Sequence, residues 1–408
     1  MGTEKVRLQI KNQLYLWIFC ALIGGTAGAV VWVFLKVMAE GMAFIWEWIP
    51  NQIPLPYYTL IVCTAGGLLI GVFRKRYGDY PEELETVLGK VKEEKHYEYK
   101  NMLVMLLAAL FPLLIGSSIG PEAGLTGVIV GLCYWAGDNM KFAGEHAKEY
   151  SKIGMAVSLS VLFHSPLFGI FEVEEETDGE VQQWNKSSRI ILYGLALAAG
   201  TGIYAGLSAL FGAGLSGFPA FDSVKLQWQD YPMMAVYILC GVMLAYFYEI
   251  VNKNSNAVAE RIPGVIREMT AGICVGISGM LVPAVMFSGE EQMGELMYSY
   301  AEYLPIALIG IAFFKIFLTN ICIQFGLKGG HFFPIIFAGA AMGYGVSLLV
   351  FPGDGLHVVF AAAIVTASLL GGIMKKPLAV TMLLFLCFSI KMFVWILLAA
   401  AVGSRCVK

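Results

Sequence analysis

Polar positions in this chain are gathered into short clusters, and between them run apolar stretches about as long as a bilayer is thick. Stretches of about 20 apolar residues, enough to cross the hydrocarbon core as a helix, recur from Leu14 to Val402. Charged breaks fall near 74–100, 137–152, 174–188, 222–231 and 252–268. The pattern predicts an all-α polytopic membrane protein, because a helix satisfies its own backbone hydrogen bonds inside lipid. The first stretch, Leu14 to Ile49, is too long for the apolar core of a signal peptide and lacks a convincing cleavage site. It is expected to stay as a first span. Lys5, Arg7 and Lys11 precede it, which places the segment 1–12 in the cytoplasm by the positive-inside rule. Arg74, Lys75 and Arg76 open the next charged loop, which mixes both signs as far as Lys100 and reads as a solvated cytoplasmic loop.

Composition sharpens this picture. Of 408 residues, 58% are hydrophobic and 14% charged, with a mean hydropathy of +0.71. A soluble protein carries roughly a quarter charged residues, and the recurring spans leave no room for a separate soluble domain. A net charge of −3 gives no reason to expect nucleic acid as a partner. The eight cysteines are scattered, mostly in apolar segments and without a CxxC pair. They read as packed thiols, and neither a metal nor a cofactor is expected.

Many of the 46 glycines sit inside apolar segments, as in Gly24–Gly25, Gly66–Gly67 and Gly371–Gly372, where small residues let membrane helices approach closely. Two glycine-rich breaks are different. They are Gly116-Ser-Ser-Ile-Gly120-Pro-Glu122-Ala-Gly124 and Gly326-Leu-Lys-Gly329-Gly330-His-Phe-Phe-Pro334. Gly330 follows Gly120 by 210 residues, and Lys376-Pro377-Leu378 follows Ser165-Pro166-Leu167 by 211. Two landmarks at nearly one offset predict a duplicated half. Each break starts a new helix with free N–H groups and a positive dipole end. Two such starts aimed at one centre would hold an anion without a fixed cation, weakly enough for it to leave.

Glu122 is the only charged residue between Asn101 and Gly137. A carboxylate inside a membrane segment is costly and points to function. At a helix start it would compete with a free anion, occupying the site when ionised and leaving it when protonated. A structural helix-start carboxylate is the alternative. In Phe171-Glu172-Val173-Glu174-Glu175-Glu176, three acids (Glu172, Glu175 and Glu176) share a helix face, as a proton relay or as an acidic end meeting cytoplasm. Lys315, the only charge between Glu302 and Lys328, either gathers anions at a pore mouth or snorkels to the interface. His164 and His331 read as packing residues.

At these residues the chain resembles the CLC family of chloride channels and chloride–proton antiporters, over about Leu14 to Ala401. Gly120-Pro-Glu122-Ala-Gly124 is similar to the GREGP signature in its GPEAP-like bacterial variant, and Gly330-His-Phe332-Phe-Pro334 to GxFxP. Lys315-Ile-Phe-Leu-Thr319 with Gly329-Gly330, and Ser165-Pro166-Leu167-Phe-Gly169 with Glu175-Glu176, complete four motifs in the family's order. The resemblance implies a CLC-type inverted repeat of many tilted and broken helices, with halves at 13–211 and 212–403 and a tail at 404–408. It implies a multi-pass homodimer in the cell membrane, surrounded by lipid, with one ion pathway per subunit. Glu122 takes the gating role and Glu176 the internal proton role, with Glu175 second. Gly120, Pro121, Ala123, Gly330, His331, Phe332 and Phe333 would surround the anion.

Three departures are expected to matter. The family's GSGIP signature falls on Tyr77-Gly-Asp79-Tyr-Pro81-Glu82, without its anion-binding serine and with Asp79 expected to repel an anion. The last helix, with its central tyrosine, is expected to be missing beyond the apolar run closing near Val402. Pro121 replaces the arginine of GREGP. The leading expectation is chloride transport coupled to proton antiport, with a passive CLC anion channel as the alternative. A fluoride/proton antiporter and a membrane enzyme stand behind these. The last is disfavoured because no phosphate loop, HExxH or GxSxG is present.

Overall fold

The computed structural model describes residues 2–82, 86–87, 89–90, 97–139, 147–176, 186–212, 219–221, 224, 226–385 and 387–407. Much of the charged loop read between Arg74 and Lys100 lies outside them, as do the middles of the next two breaks. Among the described residues the regular structure is helical: α1 Gly2–Ala43, extended by a π turn at Phe44–Trp48 and by Ile49–Gln52; α2 Tyr58–Tyr77; α3 Met102–Leu114; α4 Glu122–Asn139; α5 Ala147–Leu162; α6 Phe168–Glu176; α7 Lys186–Phe211; α8 Asp230–Ala259; α9 Gly264–Leu281; α10 Glu290–Ser299; α11 Pro305–Gln324; α12 Phe332–Val350; α13 Val358–Met374; α14 Pro377–Leu384; and α15 Phe393–Cys406. Among the described residues, seven helical stretches are long and apolar enough to span a membrane. The predicted break at 252–268 narrows to residues 260–263, because Pro263 separates α8 from α9 and the flanking charges ride on helix ends.

The chain forms two compact units. One comprises Met1–Val37, Leu84–Met102 and Leu125–Leu215; the other comprises Met38–Glu83, Leu103–Gly124 and Ser216–Lys408. In the first, α1 crosses α7 so tightly that a Cβ on Gly24 would lie 2.0 Å from the Ala196 carbonyl oxygen. In the second, α2 and α9 run antiparallel in close register: Gly71 meets Val265, Gly67 meets Glu268, Gly272 meets Cys63 and Gly279 meets Thr59. Glycine at these crossings supplies the backbone approach that holds helices together where water cannot drive association. At the heart of the second unit, α12 and α13 are buried along almost their whole lengths. Helices that are apolar on every side suit a protein-surrounded interior. Leu239, Leu281, Leu304 and Ile306 face outward instead, each about two-thirds exposed or more, as lipid-facing side chains do.

Both glycine-rich breaks are built alike. α3 stops at Gly116, whose φ of +79° is the left-handed conformation glycine adopts without strain. The Ser117 N–H then donates back to the Pro112 carbonyl at 3.2 Å. α11 stops the same way at Gly326 (φ +95°), with the Leu327 N–H donating to the Cys322 carbonyl at 2.8 Å. The two glycines are 210 residues apart, the offset found from sequence. His164 and Lys375, at the ends of α5 and α13 and 211 apart, are also left-handed, at φ +52° and +59°.

Candidate functional site

After Gly116 and Gly326 the chain runs without helix for a few residues, and the two non-helical pieces meet within the second unit. Gly120 and Gly330 pair as an antiparallel bridge: the Gly120 N–H donates to the Gly330 carbonyl at 2.7 Å and the reverse bond is 2.8 Å. Two residues later on each side a helix begins, α4 at Glu122 and α12 at Phe332. The bridge therefore brings two long-helix starts side by side, each with first-turn N–H groups that the helix itself does not use and with the positive end of its dipole.

Glu122 fills the space between them. Its side chain folds across so that Oε1 accepts the Phe332 N–H at 2.9 Å. The residue is 2% exposed. A Cβ added to Gly330 would lie 1.8 Å from Glu122 Cδ, and one added to Gly120 would lie 2.0 Å from its Oε2. Both glycines are thus demanded by the carboxyl that rests on them. Gly120, Pro121, Ala123, Gly330, Phe332 and Phe333 are all buried around this point, with His331 half-buried beside Phe332 and Tyr248. Pro121 has no N–H to offer and contributes a fixed φ at the entry to α4.

The frame around this pair is polar and specific. Ser118 and Thr319 share a hydroxyl–hydroxyl bond of 3.0 Å, and Thr319 Oγ1 donates to the Lys315 carbonyl. Lys315 itself does neither of the things its isolation in the sequence predicts. It is fully buried, and its ammonium donates to the carbonyls of Val285, Met286 and Phe287 at 3.1, 3.0 and 2.8 Å, over the Phe337 ring. Phe287 in turn donates its N–H to the Gly116 carbonyl at 3.0 Å. Lys315 therefore organises the loop that braces the first break.

Asp79 also departs from expectation. It pairs with Arg74 and, at 2.8 Å, with Lys328, so its charge is compensated and not left to repel an anion. Arg74 also holds Glu268 at 2.5 Å and donates to the Gly326 carbonyl at 3.1 Å, while Arg267 reaches Glu268 at 3.1 Å. The network pins the Gly326 turn from the basic ends of α2 and α9. Nothing in the local spacing of Asp79 announced partners at 74, 328 and, through Arg74, 268.

The acids of α6 belong to the first unit. Glu172 is 2% exposed, Glu174 pairs with Arg189 at 3.0 Å, and Glu175 is half-buried. Glu176 closes the helix, and its side chain lies outside those described. His164 packs its ring edge-on against Tyr204, in line with its reading as a packing residue. Sequence reading passed over Glu290, a buried acid at the start of α10. Its only signal is an acid pair after a glycine between two apolar runs.

A family model described as voltage gated chloride channel matches residues 66–408. Among curated proteins the chain is similar to Chloride channel protein CLC-e of Arabidopsis thaliana, at 23% identity over 89% of this chain and 55% of that protein. It is also similar to the Putative chloride channel protein ClcB-like of Ralstonia nicotianae, at 25% identity over 81% of this chain and 78% of that protein. The chain thus spans little more than half the length of the plant relative. Among solved structures, a slow cyanobacterial Cl-/H+ antiporter superposes with a TM-score of 0.77 at 18% identity, covering 97% of this chain and 94% of that one. A CLC-type fluoride/proton antiporter gives 0.70 at 19% identity over 96% and 94%. These likenesses show that the fold is shared.

Proposed function

The chain belongs to the voltage-gated chloride channel family, and from that premise we propose that it exchanges chloride, or a similar small anion, for protons across the cell membrane. The observation that carries the reading is the carboxyl of Glu122 accepting the Phe332 N–H at the start of α12. A group held by a helix-start amide stands where a free anion would be held by the same amide. Ionised, Glu122 occupies the place. An arriving proton removes its charge and weakens its hold, since hydrogen bonds to charged acceptors are roughly twice as strong as neutral ones. The neutral side chain then yields, and the anion takes the amides at the start of α12, those of His331, Phe332 and Phe333, in the space lined by Gly330, Gly120 and Ala123. Each exchange of anion for carboxylate is accompanied by a proton.

Glu176, or Glu175 next to it, is assigned the internal end of the proton path. The protein works as a homodimer with one pathway per subunit, and the halves at 13–211 and 212–403 are copies of one ancestral repeat. The common offset of 210 or 211 residues between left-handed helix ends supports the last point.

Flux measurements on proteoliposomes test the exchange itself. An imposed chloride gradient is expected to drive protons uphill through the wild-type protein, whereas chloride flow with no proton movement would establish a passive channel. Repeating the assay with fluoride decides between the two anions. Glu176→Gln is expected to stop proton movement while chloride continues to flow. Unchanged proton movement in that variant would transfer the role to Glu175 or to another group.

A further inference from the structure

Glu290 opens α10 immediately after Gly289, whose φ is +109°. That left-handed turn presses the start of α10 onto α12: a Cβ on Gly289 would lie 3.0 Å from Phe337 Cβ. Glu290 is turned inward and 5% exposed, and its carboxyl takes part in no hydrogen bond or ion pair among the described residues. A buried carboxyl with neither hydrogen bond nor cation is costly to keep ionised, which makes it a candidate for work and not for stability.

Its surroundings define that work. Glu290 and Glu122 are both buried against α12: Glu122 rests on the Phe332 N–H at the start of that helix, and Gly289, beside Glu290, packs on Phe337 about a turn and a half further along. From α11 the nearest cation is Lys315, whose Cε lies 3.6 Å from the Cβ position of Gly289, but its ammonium is taken up by three carbonyls. From α12 the facing group is the neutral Phe337 ring. Glu291 and Glu295 lie one turn apart on α10, and Trp46, next to Glu47, packs edge-on against Phe287 in the loop that leads into α10 at 5.4 Å; all three acids are exposed. A graded series results, from an acidic rim in water, through one nearly buried carboxyl, to Glu122. The antiparallel α2–α9 pair gives its direction. Arg74, Lys75, Arg76, Arg261 and Arg267 crowd one end of that pair, and the chain leaves α9 for Glu290 from the other. By the positive-inside rule the rim faces away from the cytoplasm.

We infer that Glu290 is a second proton carrier on the outer side of Glu122, loaded from water at the Glu47–Glu291–Glu295 rim and discharging to Glu122 on a route apart from the anion's. The inference rests on the reading of Glu122 as the exchange gate. In the transfer the O–H bond of protonated Glu290 breaks and an O–H bond forms on ionised Glu122. Glu290 is left as a carboxylate and regains its proton from the solvent. Two carboxyls within each other's field hold a first proton between them more readily than two negative charges, which keeps one proton poised beside the gate. An acidic rim also repels anions while gathering protons, so the two cargoes approach by different doors.

Chloride turnover in proteoliposomes, measured from about pH 7.5 to about pH 4.5 for wild type, Glu290→Gln and Glu290→Asp, tests the assignment. Near the top of that range Glu290→Gln is expected to be slower by about ten-fold, a modest share of what a positioned proton carrier contributes. It should approach wild type at the acid end, where water protonates Glu122 directly. Glu290→Asp, which keeps a carboxyl, is expected to restore most of the loss. In a Glu122→Gln background, adding Glu290→Gln should change nothing, because the relay acts only through that side chain. A uniform slowing at every pH, a loss that Asp does not repair, or an equal effect without the Glu122 carboxyl would make Glu290 structural and overturn the proposal. The uphill proton assay on wild type judges the exchange reading separately. If wild type proves to be a channel, the same pH series still decides whether Glu290 supplies the proton that opens Glu122.

Discussion

Glu122→Gln is expected to abolish proton-coupled exchange while chloride continues to cross. The substitution keeps the size of the side chain and its ability to accept the Phe332 N–H, now at 2.9 Å from Oε1, but removes the charge and the exchangeable proton. A neutral acceptor holds that amide about half as strongly as a carboxylate, so the side chain is readily displaced by an arriving anion. Uphill proton movement driven by chloride should fall by at least ~100-fold, the lower bound for losing a positioned proton-transfer group. The pH dependence of chloride flow should flatten in the same vesicles. Full proton coupling in the variant would remove Glu122 from the mechanism, and with it the argument that a tethered carboxylate rivals the anion.

Gly330→Ala should produce nearly the same phenotype by a different physical route. The new Cβ would sit 1.8 Å from Glu122 Cδ and 2.1 Å from Oε1, far inside van der Waals contact. Something must move, and the backbone is the less free partner, because Gly330 is bridged to Gly120 by bonds of 2.7 and 2.8 Å. The carboxyl is therefore driven off the Phe332 amide, leaving a permanently vacated place for an anion. Overpacking of this kind costs about 1–3 kcal/mol, a measurable drop in thermal stability of the purified protein. Proton coupling is expected to fall by ~10-fold or more as the carboxyl loses its seat. The double variant Gly330→Ala with Glu122→Ala removes the clash and should recover the lost thermal stability without recovering coupling. A Gly330→Ala protein that exchanges protons for chloride at the wild-type ratio would show that Glu122 does its work from some other position.

Much of the candidate site was legible before any coordinates. Glu122 stood out because no other charge occurs between Asn101 and Gly137, and the two breaks stood out because glycine and proline interrupt long apolar runs. Those are local signals, carried by residues within a turn or two of each other. The site's supports were not legible for the opposite reason. Lys315 looked like a lone cation at an interface, yet it is spent on carbonyls some 30 residues earlier in the chain. Asp79 looked like a repulsive charge in a loop, yet Lys328 meets it from 249 residues away. Glu290 carried no spacing that distinguishes it from Glu291 and Glu295, and only packing against α12 turned it inward.

By itself the sequence determined that the chain crosses a membrane as helices, that two of those helices begin at matched breaks, and that one break holds an acid. Backbone hydrogen bonding in lipid and the conformational habits of glycine and proline act over a few residues, so those conclusions need no tertiary information. Only the tertiary structure decided that Gly120 and Gly330 join, that Glu122 reaches the amide of a helix 210 residues onward, and which buried charges find partners. Such pairings depend on where whole helices come to rest, and that is settled by close packing across the protein and not by any stretch of chain read alone.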